Sequence, residues 1–596
     1  MSSIMKRRDF MKKVAIVGSS AGLVGYGGDM PSKTINKDAD VSLNSLPRQG
    51  PKPVVRGKRA VCSSSQPIVT ETMLKVMKDG GNAVDAGIAG SMVQAVVEPH
   101  MTNHAGTVTF LYWEAKTGKA YELNSQGTLV PGLPPFRTYP PNLGGFALGA
   151  GPMACIPGFM PGMRELHKRF GTKPWAYLCQ DAIRWAEEGH IVHSFEHATL
   201  EWELISNTYF PSGRKMFTPD GFTPPVGERF KNPDLAKTLR HVAEEGPEYF
   251  TKGGWAKKFV KKANELGWPI KLKHMTEVPP RWGEPLRFKH NGYEVLQLSP
   301  PERQGVFCAM VLGILSHLGV KSLGHYTKSA ETLYFLAYVL RWAEFELGFL
   351  HDPEIFHIPL EEWLSEEHHK RIANVIKKSM PKIDLTEHVL LTSGKPALAA
   401  AGFPTAGPQK KKPSIGSCEL SIVDPQGNWV QMMNTLQGSG IPGLVIGGVP
   451  MVGSHATFDM KFFISGWLTG GGRVRSGIGN TIVLKDGRPY ISMGTPGNVH
   501  VTIPQVLLNV LDFGMDPYEA SDAPRMLAMR DDYVVGIESR IPSAVVADLA
   551  KLGIRVHPLP IYDFHMGSFQ MCWRDEKTGL YNSSADPRRA GMAGGF

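Results

Sequence analysis

The sequence predicts an α+β protein. Helical periodicity dominates its first two-thirds, alternating strands dominate its last third, and a polar, lysine-rich stretch at 403–415 separates them. No internal repeat is present. The 596 residues are 42% hydrophobic and 20% charged, ordinary globular proportions.

The first thirty residues read as an address. Lys6-Arg7-Arg8-Asp9-Phe10-Met11-Lys12-Lys13 precedes a weakly apolar, glycine-rich stretch at 14–25. A paired arginine before such a stretch predicts a twin-arginine export signal. The stretch is shorter than the ~20 residues a membrane helix needs. We therefore expect a periplasmic protein with a signal over 1–30, a linker over 31–52 and no membrane segment in the mature form. The leader also accounts for part of the net charge of +10. What remains indicates no nucleic-acid partner, and Lys410-Lys411-Lys412 reads as an exposed loop.

The folded part opens with a short strand at Gly57–Ser64. Val69, Met73, Leu74, Val76 and Met77 then mark a helix over Ile68–Lys78, closed by Gly80-Gly81, and Asn82 caps a second helix. Tyr112–Leu123 reads as a hairpin around Glu114–Lys119. Residues 156–270 read as helical, with Pro174-Trp175 opening one helix and Gly189 closing it. Leu333, Leu336, Ala337, Leu340 and Phe345 give another over 329–347. In the strand Ser417–Asp424, Cys418, Leu420 and Ile422 face one way and Ser417, Glu419 and Ser421 the other. A turn at Asp424–Gly427 returns the chain through Asn428–Leu436. A second hairpin turns at Asp486-Gly487, and a helix is expected to begin at Pro504 and run to Phe513.

The six cysteines form no C-x-x-C pair and read as buried free thiols. His100-x-x-x-His104 lacks a catalytic Glu at the right place, and Glu367-His368-His369 reads as part of a charged surface helix. No metal and no cofactor are expected.

Several stretches in order resemble gamma-glutamyltransferases. They are Gly80-Gly81-Asn82-Ala83-Val84-Asp85-Ala86 with Val96-Val97-Glu98-Pro99-His100; Ile156-Pro157-Gly158 with Ala182–Gly189; Asn232–Leu239 with Gly292-Tyr293-Glu294-Val295; Ser329–Thr332 with Asp352-Pro353; Leu420-Ser421-Ile422-Val423-Asp424 with Gly427-Asn428; and Ala523-Pro524-Arg525. The resemblance implies a four-layer αββα fold of the N-terminal-nucleophile type. It also implies a precursor that cuts itself into a large subunit (53–416) and a small catalytic one (417–596), each the other's partner. In that family the new terminal Thr lies three residues before the strand matched by Leu420–Asp424, which places Ser417 there.

A hydroxyl is a weak nucleophile without a base, and a chain-terminal Ser carries its own base in the α-amine. That amine titrates near ~8. Gly416 before it leaves room for Oγ to reach the preceding carbonyl. Cys418 is a second candidate nucleophile. The resemblance further implies that Thr435 supports the nucleophile and that the backbone N–H groups of Gly497 and Asn498 form an oxyanion hole.

The substrate clamp departs from the family pattern. Gln126 stands where an Arg holds the substrate carboxylate, and a neutral amide does not replace a bidentate guanidinium. Ser454 and Thr457 fall near acids that hold the ammonium group. The family's serine pair reads Ser476-Gly477, and Gln437 replaces an Asn. The expectation is an amide hydrolase or acyltransferase acting on a small-molecule amide that is not a γ-glutamyl compound. Two alternatives stay open: a true gamma-glutamyltransferase whose clamp is rebuilt from His455, Asp459, Arg473 or Arg475, and an exported homologue that binds a ligand without turnover.

The leader carries its own test. Replacing Arg7 and Arg8 together by lysine should leave the protein in the cytoplasm. Periplasmic recovery of that variant on cell fractionation would contradict the twin-arginine reading.

Overall fold

A computed structural model describes residues 49–129, 155–265, 270–380, 417–436, 443–451, 471–473, 477–528 and 534–596. The expected leader, most of the linker, the Lys410–Lys412 loop and the end of the expected large subunit lie outside the described residues. None of the described helices is long and apolar enough to cross a membrane.

Fourteen of the described strands build two seven-stranded sheets. In chain order they are β1 (Val55–Gly57), β2 (Val61–Ser64), β3 (Thr107–Glu114), β4 (Lys119–Ser125), β5 (Arg281–Gly283), β6 (Leu286–His290), β7 (Tyr293–Gln297), β8 (Cys418–Val423), β9 (Trp429–Thr435), β10 (Thr481–Lys485), β11 (Arg488–Gly494), β12 (Gln570–Arg574), β13 (Tyr581–Ala585) and β14 (Met592–Gly595). One sheet runs β14-β2-β8-β9-β3-β4-β5 and the other β1-β13-β12-β11-β10-β7-β6. The hairpins β3–β4, β8–β9 and β10–β11 follow from local turns. The pairing of β8 with β2, 356 residues upstream at Leu420↔Ser64, does not.

Helices cover both outer faces. On the first sheet lie α1 (Pro67–Lys78), α2 (Ala83–Val97), α3 (Phe159–Phe170) and α4 (Trp175–Glu188), with α5 (Ser194–Trp202) at one end and α6 (Pro233–Glu245) behind α4. The second sheet packs with α7 (Gln304–Leu318), α8 (Ala330–Glu346), α9 (Glu366–Ser379) and α10 (Val499–Leu511) in one apolar core. The result is the expected αββα arrangement. Asn82 caps α2 in a full capping box with Asp85, as its sequence position predicts.

The alternation of β8 is resolved by these layers. Leu420 and Ile422 pack into the helix-side core. Ser421 meets Ser492 Oγ of the facing sheet at 2.7 Å, and Glu419 accepts from Gln431 Nε2 at 2.6 Å. The polar face of the strand is thus buried against the second sheet rather than solvated, and burial pushes the Glu419 carboxyl well above its ordinary range.

Two expectations are corrected. Helix α10 begins at Val499, a turn before Pro504, with Asn498 at its N-cap. The proline sits inside the helix, held there by a fully buried α10 that packs against α7; packing has overridden the preference for proline at the first turn. His368 and His369 are buried, not surface residues: His368 Nε2 lies 2.7 Å from Glu346 Oε2, and His369 Nε2 lies 2.9 Å from the Trp363 carbonyl. Helix α9 is amphipathic, and both rings point to its inner side. Cys62, Cys179, Cys308, Cys418 and Cys572 are buried free thiols.

The C-terminal segment is anchored by a knot of buried charge. Arg588 donates to both oxygens of Glu538 (2.7 and 2.6 Å) and to Asp586 Oδ1 (3.2 Å), and Arg525 pairs with the other oxygen of Asp586. Removing one partner strands the others in a dry interior. Arg588→Met should lower unfolding free energy by ~3–5 kcal/mol in a denaturant titration; a loss under ~1 kcal/mol would show that the knot is replaceable.

Candidate active site

The start of β8 lies near the centre of the first sheet, and several elements converge there. Ser417, just before the strand, is half-buried. Its Oγ donates to Thr435 Oγ1 at 2.8 Å, its N–H donates to the Met101 carbonyl at 3.2 Å, and its carbonyl accepts from Arg589 Nη1 at 2.9 Å. Its φ is +79°. A non-glycine residue held there carries strain of ~1–2 kcal/mol.

Register extends the site sideways. Cys418 pairs with Asn434, so Ser417 stands beside Thr435; Thr435 pairs with Thr107; and Val108 pairs with Ser125, so Thr107 stands beside Gln126. Ser417, Thr435, Thr107 and Gln126 therefore form one row across four strands. At ~4.8 Å per strand step, Gln126 lies ~14 Å from Ser417 along the sheet. Gln126 is 4% exposed and borders a small cavity of about 30 Å³ together with Arg164 and Arg473. That volume holds a water molecule.

The loop after β11 supplies the third side. A side chain at Gly494 would overlap the Glu419 carboxylate, so β11 ends close against β8. Gly497 has φ +89° and abuts Gly567, a left-handed position that favours glycine. Asn498 Nδ2 donates to the His565 carbonyl at 2.7 Å, which fixes the loop. Among the described residues, the backbone N–H groups of Gly497 and Asn498 have no hydrogen-bond partner. Phe564, beside His565, packs against Met101, Phe195 and Cys418, which ties this loop to the start of β8.

Cys418 faces away from this row. It is fully buried, its Sγ donates to Glu98 Oε2 at 3.2 Å, and burial together with the nearby Glu98 raises its pKa well above the usual thiol value. A thiol kept protonated is a poor nucleophile. Glu98 Oε2 also accepts from Ser65 Oγ (3.0 Å) and Gln94 Nε2 (2.9 Å), and Asn434 Nδ2 donates to Gln94 Oε1 (3.2 Å). A buried chain of hydrogen bonds thus runs beneath Ser417.

Of the residues expected in the site, Ser417, Thr435 and Gln126 fall in one row, and Gly497 and Asn498 lie in the loop tied to it through Phe564 and His565. Gln437, Ser454, Thr457 and Ser476 lie outside the described residues, as do His455, Asp459 and Arg475. Gly477, next to Ser476, rests on Arg303 and His500. Arg473 is occupied: its Nη1 donates to Glu354 Oε2 at 2.6 Å and lies 3.7 Å from Asp352 Oδ2. Among the described residues no three His, Cys, Asp or Glu side chains are placed to hold a metal ion. His104 Nε2 lies 3.1 Å from the Met92 carbonyl, and His100 is held neutral, lowered to about 4 by burial against the opposing pull of Glu196 and Glu98.

A profile of the gamma-glutamyltranspeptidase family matches residues 69–596. The chain belongs to this family. Its members are N-terminal-nucleophile hydrolases and transferases, and the chain is an enzyme of that kind. The glutathione hydrolase proenzyme of Bacillus subtilis (strain 168) is 24% identical over 565 residues, covering 91% of this chain and 93% of its own. The capsule biosynthesis protein CapD proenzyme of Bacillus anthracis is 26% identical over 571 residues, covering 95% of each. Among solved structures, a cephalosporin acylase from Bacillus halodurans matches in fold with a TM-score of 0.76 at 22% identity, covering 94% of this chain and 99% of its own. Relatives described as proenzymes imply processing into two subunits.

Sequence reasoning missed two contacts of Ser417 in this gamma-glutamyltranspeptidase-family site, Met101 and Arg589, and one arginine beside Gly477. Met101 acts through its carbonyl, which no side-chain pattern can signal. Arg303, whose Nη1 spans the Glu344 carboxylate at 3.1 and 3.2 Å and whose Nη2 lies 3.1 Å from His500 Nδ1, had a faint signal in Pro300-Pro301-Glu302-Arg303. Arg589 had one in its place beside Arg588, since paired arginines near a chain end need a reason.

Proposed function

We propose that the chain is cut between Gly416 and Ser417 and that the freed Ser417 attacks an amide whose acyl part lacks the amino-acid head of a γ-glutamyl group. The observation that carries the first half is the setting of Ser417. A strained residue donates its hydroxyl to Thr435 and lies at the start of a rigid central strand. Breaking the preceding peptide bond relieves the strain, because φ is no longer imposed on a chain end.

The chemistry then runs through this chain's own groups. The α-amine takes the proton from Ser417 Oγ as Oγ bonds to the substrate carbonyl carbon. The N–H groups of Gly497 and Asn498 receive the developing oxyanion. The C–N bond breaks, and the amine returns the proton to the leaving nitrogen. Water or an acceptor amine then takes the acyl group by the reverse sequence. With its amine donating to the Met101 carbonyl, Ser417 keeps the nitrogen lone pair free for Oγ.

Gln126 supports the second half. By the resemblance it stands where the family has the carboxylate-binding arginine, and the two cations that line the cavity beside it, Arg473 and Arg164, are already paired with Glu354 and Glu165. Hydrogen bonds to charged groups are worth ~1.5–3 kcal/mol each. Losing two or three lowers transition-state binding by factors of ~10² to 10⁶. We further propose export by the twin-arginine route to the periplasm, supported by Arg7-Arg8 and the short apolar stretch after it.

On a denaturing gel the purified protein should give fragments of roughly 42 and 20 kDa at about 110 Da per residue, the smaller beginning at Ser417 on N-terminal sequencing. Ser417→Ala should leave one chain. A small subunit that begins at Cys418 would transfer the role to the thiol, and a wild type that never cuts would favour a ligand-binding homologue. The fully cut protein should release nitroaniline from γ-glutamyl-p-nitroanilide at well below about one turnover per second. Faster release would mean that the clamp has been rebuilt.

A further inference from the structure

Arg588 and Arg589 are adjacent, both fully buried, and differently employed. Arg588 is saturated by Glu538 and Asp586. Arg589 donates Nη1 to the Ser417 carbonyl, while its Nε and Nη2 have no hydrogen-bond partner among the described residues. Among the described residues no carboxylate lies within 4.0 Å of it; the ring of Phe195 lies 5.2 Å from its guanidinium carbon. Burial lowers its pKa, opposed by Cys418, Glu98 and Asp586, yet a guanidinium stays charged in proteins. A buried cation without a direct ion pair costs several kcal/mol. This one is spent on the backbone of a single residue.

We propose that Arg589 is a positioning residue that holds the Ser417 carbonyl and, through its charge, keeps the Ser417 α-amine in the unprotonated form that accepts the Oγ proton. The proposal rests on the reading of Ser417 as the first residue of the small subunit. The carbonyl and the amine belong to one residue, so the guanidinium lies about 5 Å from the amine nitrogen. At an effective dielectric of ~20, two like charges at that spacing disfavour the ammonium by about two pK units.

The other charged groups around this point do not cancel the effect. Glu98 opposes it, but from one residue further along, where its carboxylate accepts from Cys418, Ser65 and Gln94. Burial keeps His100 and His193 neutral and Glu419 protonated. Glu196 is engaged with His190, Asp563 with His565, and Asp586 with Arg525 and Arg588. Lys52 donates to the Arg589 carbonyl and adds positive charge on the same side. With Glu98 counted, about one unit of depression remains from the ~8 of a free α-amine.

The test uses the fully cut protein and the burst of nitrophenol from p-nitrophenyl acetate, measured against pH. Wild type should show an acid midpoint near or below about 7. Arg589→Met should move it up by about one unit and slow the burst about tenfold at pH 6. Arg589→Lys, which keeps the charge, should stay within about 0.3 unit of wild type. A role in folding alone would lower amplitude or melting temperature without moving the midpoint, and coincident midpoints for all three proteins overturn the proposal. If Arg589→Met fails to fold or cut, the wild type decides alone: labelling of the Ser417 amine by fluorodinitrobenzene, read by intact mass of the small subunit, should give a midpoint near 7, and one at or above 8 overturns the proposal. A correctly cut protein with an unshifted midpoint removes only the role of Arg589. A small subunit that does not begin at Ser417 removes the functional reading as well.

Discussion

Charge buried in a dry interior must be matched by fixed partners, and the knot formed by Arg525, Asp586, Arg588 and Glu538 is where this molecule meets that demand most heavily. All four side chains are almost completely excluded from water. Their mutual bonds join the segment after α10 to the last strands of the chain. Because of that junction β14 can close the edge of the first sheet beside β2, and the residue after Arg588 reaches across to Ser417. The same segment holds the far N-terminal residues: Gly50 donates to the Pro587 carbonyl (2.8 Å) and Gln49 to that of Arg588 (2.9 Å). The last residues of the expected linker are therefore bound to the body of the protein. Both ends of the described chain meet the ion knot.

The site itself is a consequence of sheet register. Strand spacing sets the step and pairing sets the row, so that Ser417, Thr435, Thr107 and Gln126 are carried to one line without any contact local in sequence. The layer between the two sheets holds polar pairs, with Thr109 bonded to Asn480 at 2.8 Å and Ser421 to Ser492 at 2.7 Å. Side-chain hydrogen bonds between fixed strands are directional, and they hold the two sheets at one offset where purely apolar faces would tolerate sliding. The loop bearing Gly497 and Asn498 issues from the second sheet, so its place relative to Ser417 on the first depends on that offset.

Local physics was legible in the amino-acid order. The cap at Asn82, the hairpins at Asp424–Gly427 and Asp486-Gly487, the helix over Ala330–Glu346 and the alternation of β8 all depend on residues within a few positions of one another, and the periods of 3.6 and 2 express them directly. The family and its αββα fold were legible as well, because ordered motifs span nearly the whole chain. The start of α10 was not. Pro504 argues locally for a helix beginning there, whereas burial against α7 keeps the preceding turn helical. The exposure of His368 and His369 was misjudged for the same reason, since a run of charged neighbours does not reveal which side of an amphipathic helix faces inward.

By itself, then, the sequence determined most of the helices and strands, the family they assemble into, and the candidate residues for acyl transfer, Ser417 and Thr435 among them. Only the tertiary structure decided that Cys418, on the strand face opposite Ser417, meets Glu98, that Arg473 is consumed by Glu354 and Asp352, and that Arg589 and the Met101 carbonyl grip Ser417. Each of these is set by partners between 119 and 320 residues away along the chain. Separation of that kind leaves no periodic trace, and it becomes visible only when the sheets have closed.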